Sequence, residues 1–390
     1  MIYTKEKRIA VVRGDGIGPE MIDVTWPILV ETARRYDKIR LIPIDVAMGW
    51  AAYPKYGDTL PQKSLETALE IGYILFSGVG NPEFDKKYYQ YLEMTPEKRV
   101  LLGLRGKMGL LINSRPVIFY KELVHLSKLK MLPQDITQFW FRFLLQDVYF
   151  GNDDLIHLVP EEIREKIGLK LKQDVTGKEK IVSNLAYFSL EYLEKYFRAV
   201  FSYAREMKLP LIVIDKSNIT ALDTYWRLVA KEIGKEFPDV PVSFQYVDSA
   251  AMLVVTNPEM LNAVIACQNM QGDIMTDLAN APLSVGLMHS SAINPDTGMA
   301  MFERGSGTAP TLAGKDIANP LGMFLTEALM LRHIGGSKGA DAIEQAVRKV
   351  LQDGWRTADL FREGVDDPAK LLGTKGMGAK VQEYLNKEEV

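Results

Sequence analysis

Short apolar runs closed by a polar residue alternate along this chain with stretches whose apolar positions recur every three or four residues. Lys7-Arg8-Ile9-Ala10-Val11-Val12-Arg13 runs into Gly14-Asp15-Gly16-Ile17-Gly18-Pro19-Glu20, and an apolar-periodic segment follows from Met21 to Ala33. That order predicts strand, glycine turn and helix. Further strands are predicted at Leu211–Asp215 before Lys216, at Ser243–Val247 before Asp248, and at Ala263–Cys267 before Gln268. Between them, Leu190, Leu193, Phe197, Val200, Phe201 and Ala204 define one helix face, with Glu194, Lys195, Arg198 and Arg205 on the others. The alternation means α/β. In open α/β sheets ligands gather outside the carboxyl ends of strands, so each closing polar residue is a site candidate, although solvent contact is the commoner fate of any one of them.

Composition narrows the function. The 390 residues carry 47 basic and 50 acidic side chains, a net charge of −3, and 47% hydrophobic content, which excludes disordered, collagen-like and coiled-coil chains. No segment approaches the roughly 18 uncharged apolar residues of a membrane helix, and Met1–Lys5 leads into charge rather than a signal-peptide core, so a cytoplasmic protein is expected. The single cysteine, Cys267, supports neither an internal disulfide nor a Cys-rich metal site. Without a basic tract a sequence-independent grip on nucleic acid is not expected, which leaves small molecules as the default partner. The length suggests two structural units, with no Pro/Gly/Ser-rich linker between them.

Candidate chemistry is sparse when each residue is taken singly. Asp273 and Asp277 lie four apart in Gly272-Asp273-Ile274-Met275-Thr276-Asp277, where a helix starting near Asp273 would set both on one face. All-oxygen ligands suit Mg²⁺ or Mn²⁺, with Asp248 a possible third; a helix cap beside a solvated carboxylate is the plainer alternative. Arg105, Arg115 and Arg142 sit among apolar neighbours, and guanidinium groups so placed seek carboxylates or phosphates, although a surface ion pair is commoner. Gly14–Gly18 is spaced G-x-G-x-G and fails as a dinucleotide fingerprint. Arg304–Gly314 offers a second glycine-rich loop, and His125, His157, His289 and His333 show no metal-ligand pairing.

Read in order, the ordered motifs are more specific. Gly14–Glu20 is followed by Leu101-Leu102-Gly103-Leu104-Arg105 and Asn113-Ser114-Arg115-Pro116-Val117, and then by Arg142 seven residues before Tyr149. Ile214–Asn218, Tyr246–Ala251, Asn269 with Gly272–Asp277, Gly307-Thr308-Ala309-Pro310 and Ile317–Pro320 complete the series. This series resembles the β-decarboxylating dehydrogenases, the family of isocitrate, 3-isopropylmalate, homoisocitrate and tartrate dehydrogenases. The resemblance implies a two-domain α/β fold with a mixed sheet flanked by helices, not a Rossmann fold. Residues 1–110 plus 284–390 would bind cofactor, and 111–283 would form the substrate and dimer domain.

The resemblance also assigns roles. Arg105, Arg115 and Arg142 would clamp the carboxylates of a malate-type substrate, with Leu101 and Leu102 facing its C3 substituent. Asp273 and Asp277 of one subunit and Asp248 of the other would hold Mg²⁺ or Mn²⁺. Lys216, reaching in from the partner, would help deprotonate the hydroxyl while Tyr149 protonates the enol carbon, so a homodimer with shared sites follows. Asn269, Gly307, Thr308, Ala309, Thr311, Leu312 and Asn319 would meet a nicotinamide cofactor.

Departures from the family pattern shape the expected substrate. Phe143-Leu144-Leu145-Gln146 follows Arg142 where isocitrate-using members carry acidic and amide residues, which predicts an apolar wall and an alkyl-substituted malate. Isocitrate, homoisocitrate and tartrate remain alternatives, as does a non-catalytic regulatory subunit, against which the complete Arg, Tyr, Lys and Asp set argues. Thr311-Leu312 matches neither the NADP pattern Lys-Tyr nor the acidic NAD one, while Arg356–Leu360 resembles NAD-using members, so NAD is expected over NADP. Ser306 replaces the family's histidine before Gly-Thr-Ala-Pro, and the segment near 151–182, with a helix-like Pro160–Ile167, is expected to form a clasp-like arm between subunits.

Overall fold

The computed structural model describes residues 3–86, 95–127, 135–150, 152–157, 181–282 and 284–387. Ten strands form one mixed sheet: β1 (Lys5–Val12), β2 (Ile39–Asp45), β3 (Tyr73–Phe76), β4 (Ile112–Phe119), β5 (Ile136–Phe143), β8 (Leu211–Asp215), β9 (Val242–Tyr246), β10 (Val264–Cys267), β11 (His289–Ile293) and β12 (Ala300–Arg304). The remaining pair, β6 (Asn152–His157) and β7 (Ile181–Leu185), makes a separate antiparallel ribbon. The intervening 158–180, including the expected helix at Pro160–Ile167, lies outside the described residues.

The sheet order is β2-β1-β3-β12-β11-β4-β5-β10-β8-β9. The pairs β12–β11, β11–β4 and β4–β5 in the middle are antiparallel, while β1–β3 and β12 on one side and β5, β10, β8 and β9 on the other pair in parallel. The seam between chain segments 112–267 and the rest is β11 against β4, with Ser291 opposite Ser114 and Ile293 opposite Ile112. The sheet is therefore continuous where sequence suggested two units.

Seven helices matter for the argument: α1 (Gly18–Thr32), α2 (Leu190–Met207), α3 (Ala221–Gly234), α4 (Val247–Thr256), α5 (Asn269–Asn280), α6 (Leu321–His333) and α7 (Ser337–Gln352). The face of α2 buries Leu193, Tyr196, Phe197, Val200, Phe201 and Ala204, whereas Leu190, at the first helical residue, is exposed. Helix α6 buries Leu321–Ala328, Met330 and Leu331, so it is covered on all sides, as its nearly uninterrupted apolar sequence requires. Together with α1 and α7 it builds the large core on one side, while α2 and α3 build a second under β8 and β10.

Candidate active site

The carboxyl ends of β5 and β10 lie side by side, with Arg142 opposite Cys267, and the chain leaves β10 directly into α5. Close approach of α5 requires Gly272, because a Cβ there would come within 2.5 Å of the Cys267 Sγ and 3.2 Å of the Arg142 Cβ. Since α5 begins at Asn269, with Gln268 as N-cap, Asp273 stands in its second turn rather than capping it. This turn brings Asp273 and Asp277 to the arginines.

Arg142 donates from Nη1 to Asp273 Oδ1 at 2.5 Å and from Nε to Asn269 Oδ1 at 2.6 Å. Arg115, on β4, sits 3.1 Å from Asp273 and 3.7 Å from Asp277, with its Nε held by Asn113 and its Nη1 by Thr276. Tyr149 donates its hydroxyl to Asp273 Oδ2 at 2.8 Å, and its ring lies 5.2 Å from the Arg142 guanidinium carbon. Arg105, in a short helical turn, pairs with Glu303 at 3.1 Å. Three guanidinium groups, two of them almost fully buried, thus share one corner of the molecule.

Burial and the crowding of like charges set the protonation of these groups. Burial, then repulsion from Arg115 and Arg105, pushes Arg142 down to about 9. Burial works against ionisation of Asp273, but Arg142 and Arg115, the Tyr149 hydroxyl and Arg105 outweigh it and hold the carboxyl below its ordinary value. Asp277 goes the other way, raised by burial and by neighbouring Asp273 against the pull of Arg115. Burial and the adjacent Asp273 charge raise Tyr149, which keeps its proton at neutral pH. Among the described residues, Arg142 Nη2 and Arg105 Nε are buried donors without a hydrogen-bond acceptor. Buried N–H groups of charged side chains are costly to leave unpaired, so both donors suit an anionic acceptor.

Lys216 and Asp248 form a second pair, Nζ to Oδ1 at 2.7 Å, and the Lys216 hydrogen bond holds Asp248 low. They follow β8 and β9, which lie two and three strands from β5, so at about 4.8 Å per strand they stand roughly 10 and 14 Å from Arg142 along the sheet. Among the described residues, no three His, Cys, Asp or Glu side chains gather in a geometry able to hold a metal. One chain thus carries the expected site in two separate parts.

The glycine-rich segments meet at the other half of the sheet. Ile17 N–H donates to the Thr308 carbonyl at 2.9 Å, Thr308 Oγ1 donates to the Gly80 carbonyl at 2.8 Å, and a Cβ on Gly16 would lie 2.0 Å from the Thr308 oxygen. Asp15 braces the same region by accepting backbone N–H groups from Trp50, Ala51 and Gly80. Gly307 borders open space, Ala309 is left-handed at φ 42°, Thr311 is exposed and Leu312 packs at the edge of the core. Asn319 is engaged with Asp359 and with the Leu321 N–H.

Two expectations change here. Asn269 is fully buried, with its amide donating to the Leu144 and Gln146 carbonyls and accepting from Arg142, so it orients the arginine instead of facing a ligand surface. Phe143 and Leu144 belong to the core, Phe143 edge-on to Phe188, Tyr196 and Trp226, so they form no wall of the site. Leu101 and Leu102 are half-buried at the end of the π-helical Glu97–Leu102. Sequence reasoning missed Glu303, Asn113 and Thr276; only Asn113, two residues before Arg115 on a strand and hence on its face, had a signal.

An arginine-rich carboxylate corner and a glycine-rich loop assembly thus occupy two halves of one mixed, non-Rossmann sheet, and the comparisons with known proteins name the class of enzyme built this way. The isocitrate/isopropylmalate dehydrogenase family model matches residues 8–381. The chain is similar to 3-isopropylmalate dehydrogenase of Helicobacter hepaticus, with 33% identity covering 97% of this chain and 99% of that one. It is similar also to 3-isopropylmalate dehydrogenase of Heyndrickxia coagulans, with 36% identity covering 90% of each. Isocitrate dehydrogenase from Methylococcus capsulatus superposes with a TM-score of 0.79 at 26% identity, covering 98% of this chain and all of that one. The chain belongs to the isocitrate/isopropylmalate dehydrogenase family and is a nicotinamide-dependent β-decarboxylating dehydrogenase. No helix among the described residues is long and apolar enough to cross a membrane.

Proposed function

We propose that this chain oxidatively decarboxylates an (R)-malate bearing an apolar C3 substituent, of the 3-isopropylmalate type, with NAD as hydride acceptor and Mg²⁺ or Mn²⁺. The observation that carries the reading is the pair of unpartnered buried donors, Arg142 Nη2 and Arg105 Nε, in a corner with a third arginine. A hydroxy-diacid supplies the carboxylate acceptors they lack. Arg105, Arg115 and Arg142 are balanced by Asp273, Asp277 and Glu303, so a bound diacid leaves two negative charges in excess, the charge of one divalent cation. Asp273, Asp277 and the partner's copy of the Asp248 carboxylate supply hard oxygen donors suited to that ion. When bound, it would acidify the substrate hydroxyl and stabilise the charge left as carbon dioxide departs.

The chain's own groups then divide the work. The arginines hold the carboxylates, Lys216 takes up the hydroxyl proton, and Tyr149, kept protonated by burial and by Asp273, delivers a proton to the carbon that loses carbon dioxide. Leu101 and Leu102 receive the C3 substituent. Residues 1–110 with 284–390 hold the cofactor along the Gly14–Gly18 and Gly307–Ala309 loops, near Thr311, Leu312 and Asn319. NAD is favoured because Thr311-Leu312 supplies no basic and aromatic pair for a 2′-phosphate, and Arg362, a cation further along the chain, already donates to the His125 carbonyl.

The two-part site supports a homodimer in which Lys216 and Asp248 of one copy complete the Arg–Tyr–Asp cluster of the other. Ile219, Tyr225, Leu228, Met252 and Ile274, on and around α3, α4 and α5, are exposed apolar side chains suited to that contact. The β6–β7 ribbon is proposed as part of the clasp. The test is a panel of C3-substituted malates, isocitrate and tartrate assayed with each metal and each cofactor. Highest kcat/KM for an alkyl malate with NAD is expected. Strong preference for isocitrate would overturn the substrate assignment, and no turnover with any acid would favour a regulatory subunit.

A further inference from the structure

The loop after β12 is built around a charge that the arginine corner does not use. Arg304 closes β12 and is only 2% exposed. Its Nη1 donates to Ser306 Oγ at 2.6 Å, and its Nη2 donates to the Ser77 carbonyl at 3.2 Å and the Gly307 carbonyl at 3.1 Å. Its Nε is buried without a partner among the described residues. The preceding Glu303 projects to the opposite face of the strand and pairs with Arg105, so no described carboxylate touches the Arg304 guanidinium. Burial pushes Arg304 down to about 10, which still leaves it charged at neutral pH.

Bracing two loops needs only neutral donors, whereas burying a cation with no carboxylate beside it is costly. The charge sits beneath the junction of two turns whose backbone is open at Gly307 and partly exposed at Gly78. Gly307 is exposed, with nothing within 4 Å of where a Cβ would stand, and Gly78 adopts φ of 101°; Gly80, at φ 115°, is buried against the Glu97 carboxylate and donates its N–H to Asp15. Thr308 ties the turns together through the Gly80 carbonyl, and through Ile17 it joins them to the first glycine turn. A positive charge under open backbone at a loop junction suits an anionic ligand lying across it.

We propose that Arg304, acting with Ser306, is a positioning residue for the dinucleotide: it locks the Gly305–Ala309 loop onto the Ser77–Gly80 turn and supplies the positive charge facing the cofactor's diphosphate. The proposal rests on the nicotinamide-dinucleotide reading given above. It also accounts for a serine standing before Gly307, since the hydroxyl accepts from Arg304 where an imidazole would need a different loop geometry.

NADH fluorescence titration of the purified full chain, without substrate or metal, tests this on the wild type, R304Q, R304K and S306A, with circular dichroism as the folding control. R304Q is expected to weaken NADH binding about tenfold or more, R304K to recover part of that loss, and S306A to weaken it about threefold. In turnover the KM for NAD follows these changes, while kcat and the KM for 3-isopropylmalate stay within about twofold. Wild-type affinity in folded R304Q overturns the proposal, as does a uniform fall in kcat with a rise in both KM values, which marks a merely structural role. Should R304Q fail to fold, S306A decides, because it leaves the buried charge in place, and unchanged NADH affinity there overturns the proposal. A wild type that binds neither NADH nor NADPH overturns the dinucleotide reading along with it, whereas wild-type binding with unaltered variants sinks only the role of Arg304.

Discussion

Asp273→Asn isolates the charge at the centre of the arginine corner. The amide keeps the carboxylate's shape but removes the negative charge that faces Arg142 at 2.5 Å and Arg115 at 3.1 Å and accepts from Tyr149 at 2.8 Å. Removing one partner of a fully buried charge pair costs about 3–5 kcal/mol. The Asp273 side chain is 34% exposed, so solvent screening reduces this to about 2 kcal/mol. With about 2.1 cal/mol/K of unfolding entropy per residue, a chain of 390 residues should melt about 2–3 °C lower. The same change should lower kcat/KM with Mg²⁺ by about a thousandfold, the effect of losing one preorganised charge at the reacting centre. Because the arginines hold the folded carboxyl below its ordinary value, its stabilising effect is present above the unfolded value near about 3.9 and lost as pH falls through the folded one. Scanning calorimetry should therefore show a constant gap between variant and wild type at neutral pH that closes in strong acid. An Asp273→Asn enzyme with wild-type melting temperature, turnover and cation dependence would refute the reasoning.

Two further measurements probe different parts of the structure. Tyr149→Phe and Lys216→Ala should each be nearly inactive alone. Co-refolded in equal amounts, they should recover about a quarter of wild-type activity, because half the dimers are mixed and each mixed dimer has one intact site; no recovery would mean that Lys216 does not serve the partner. Glu327 is buried in α6 with, among the described residues, only the Thr25 hydroxyl on it, and burial pushes it up to about 8. A raised carboxyl favours the fold below its unfolded value and loses that contribution as pH rises towards 8, by at most about 1.4 kcal/mol per pH unit. Melting temperatures of Glu327→Gln should accordingly lack the decline that the wild type shows between pH 5 and 8, and parallel curves would count against it.

Much of the site was legible because its residues follow strands whose hydrophobic pattern is plain. Leu211–Asp215 is the β8 of the structure, and Ser243–Val247 is displaced by one residue, with Val247 opening α4. Arg142 is the penultimate residue of β5, and Lys216 and Asp248 follow within two residues of β8 and β9, where the strand-end rule places candidates. The apolar Phe143-Leu144 misled, because a residue's hydrophobicity does not say which space it fills; Phe143 fills the core under α2 and Leu144 the core that includes Met301 of β12.

The linear order of residues determined the α/β class, the strand ends and the family, since these depend on local periodicity and on motifs read along one chain. Only the three-dimensional arrangement decided that Asp273 answers both Arg142 and Arg115, that Glu303 answers Arg105, and that no described carboxylate pairs with Arg304. Glu303 and Arg105 lie 198 positions apart in sequence, and no periodicity spans such a distance. Charge pairing of that kind is a property of which strands become neighbours in the sheet, and it is fixed only when β12, β11 and β4 close the gap between the two ends of the chain.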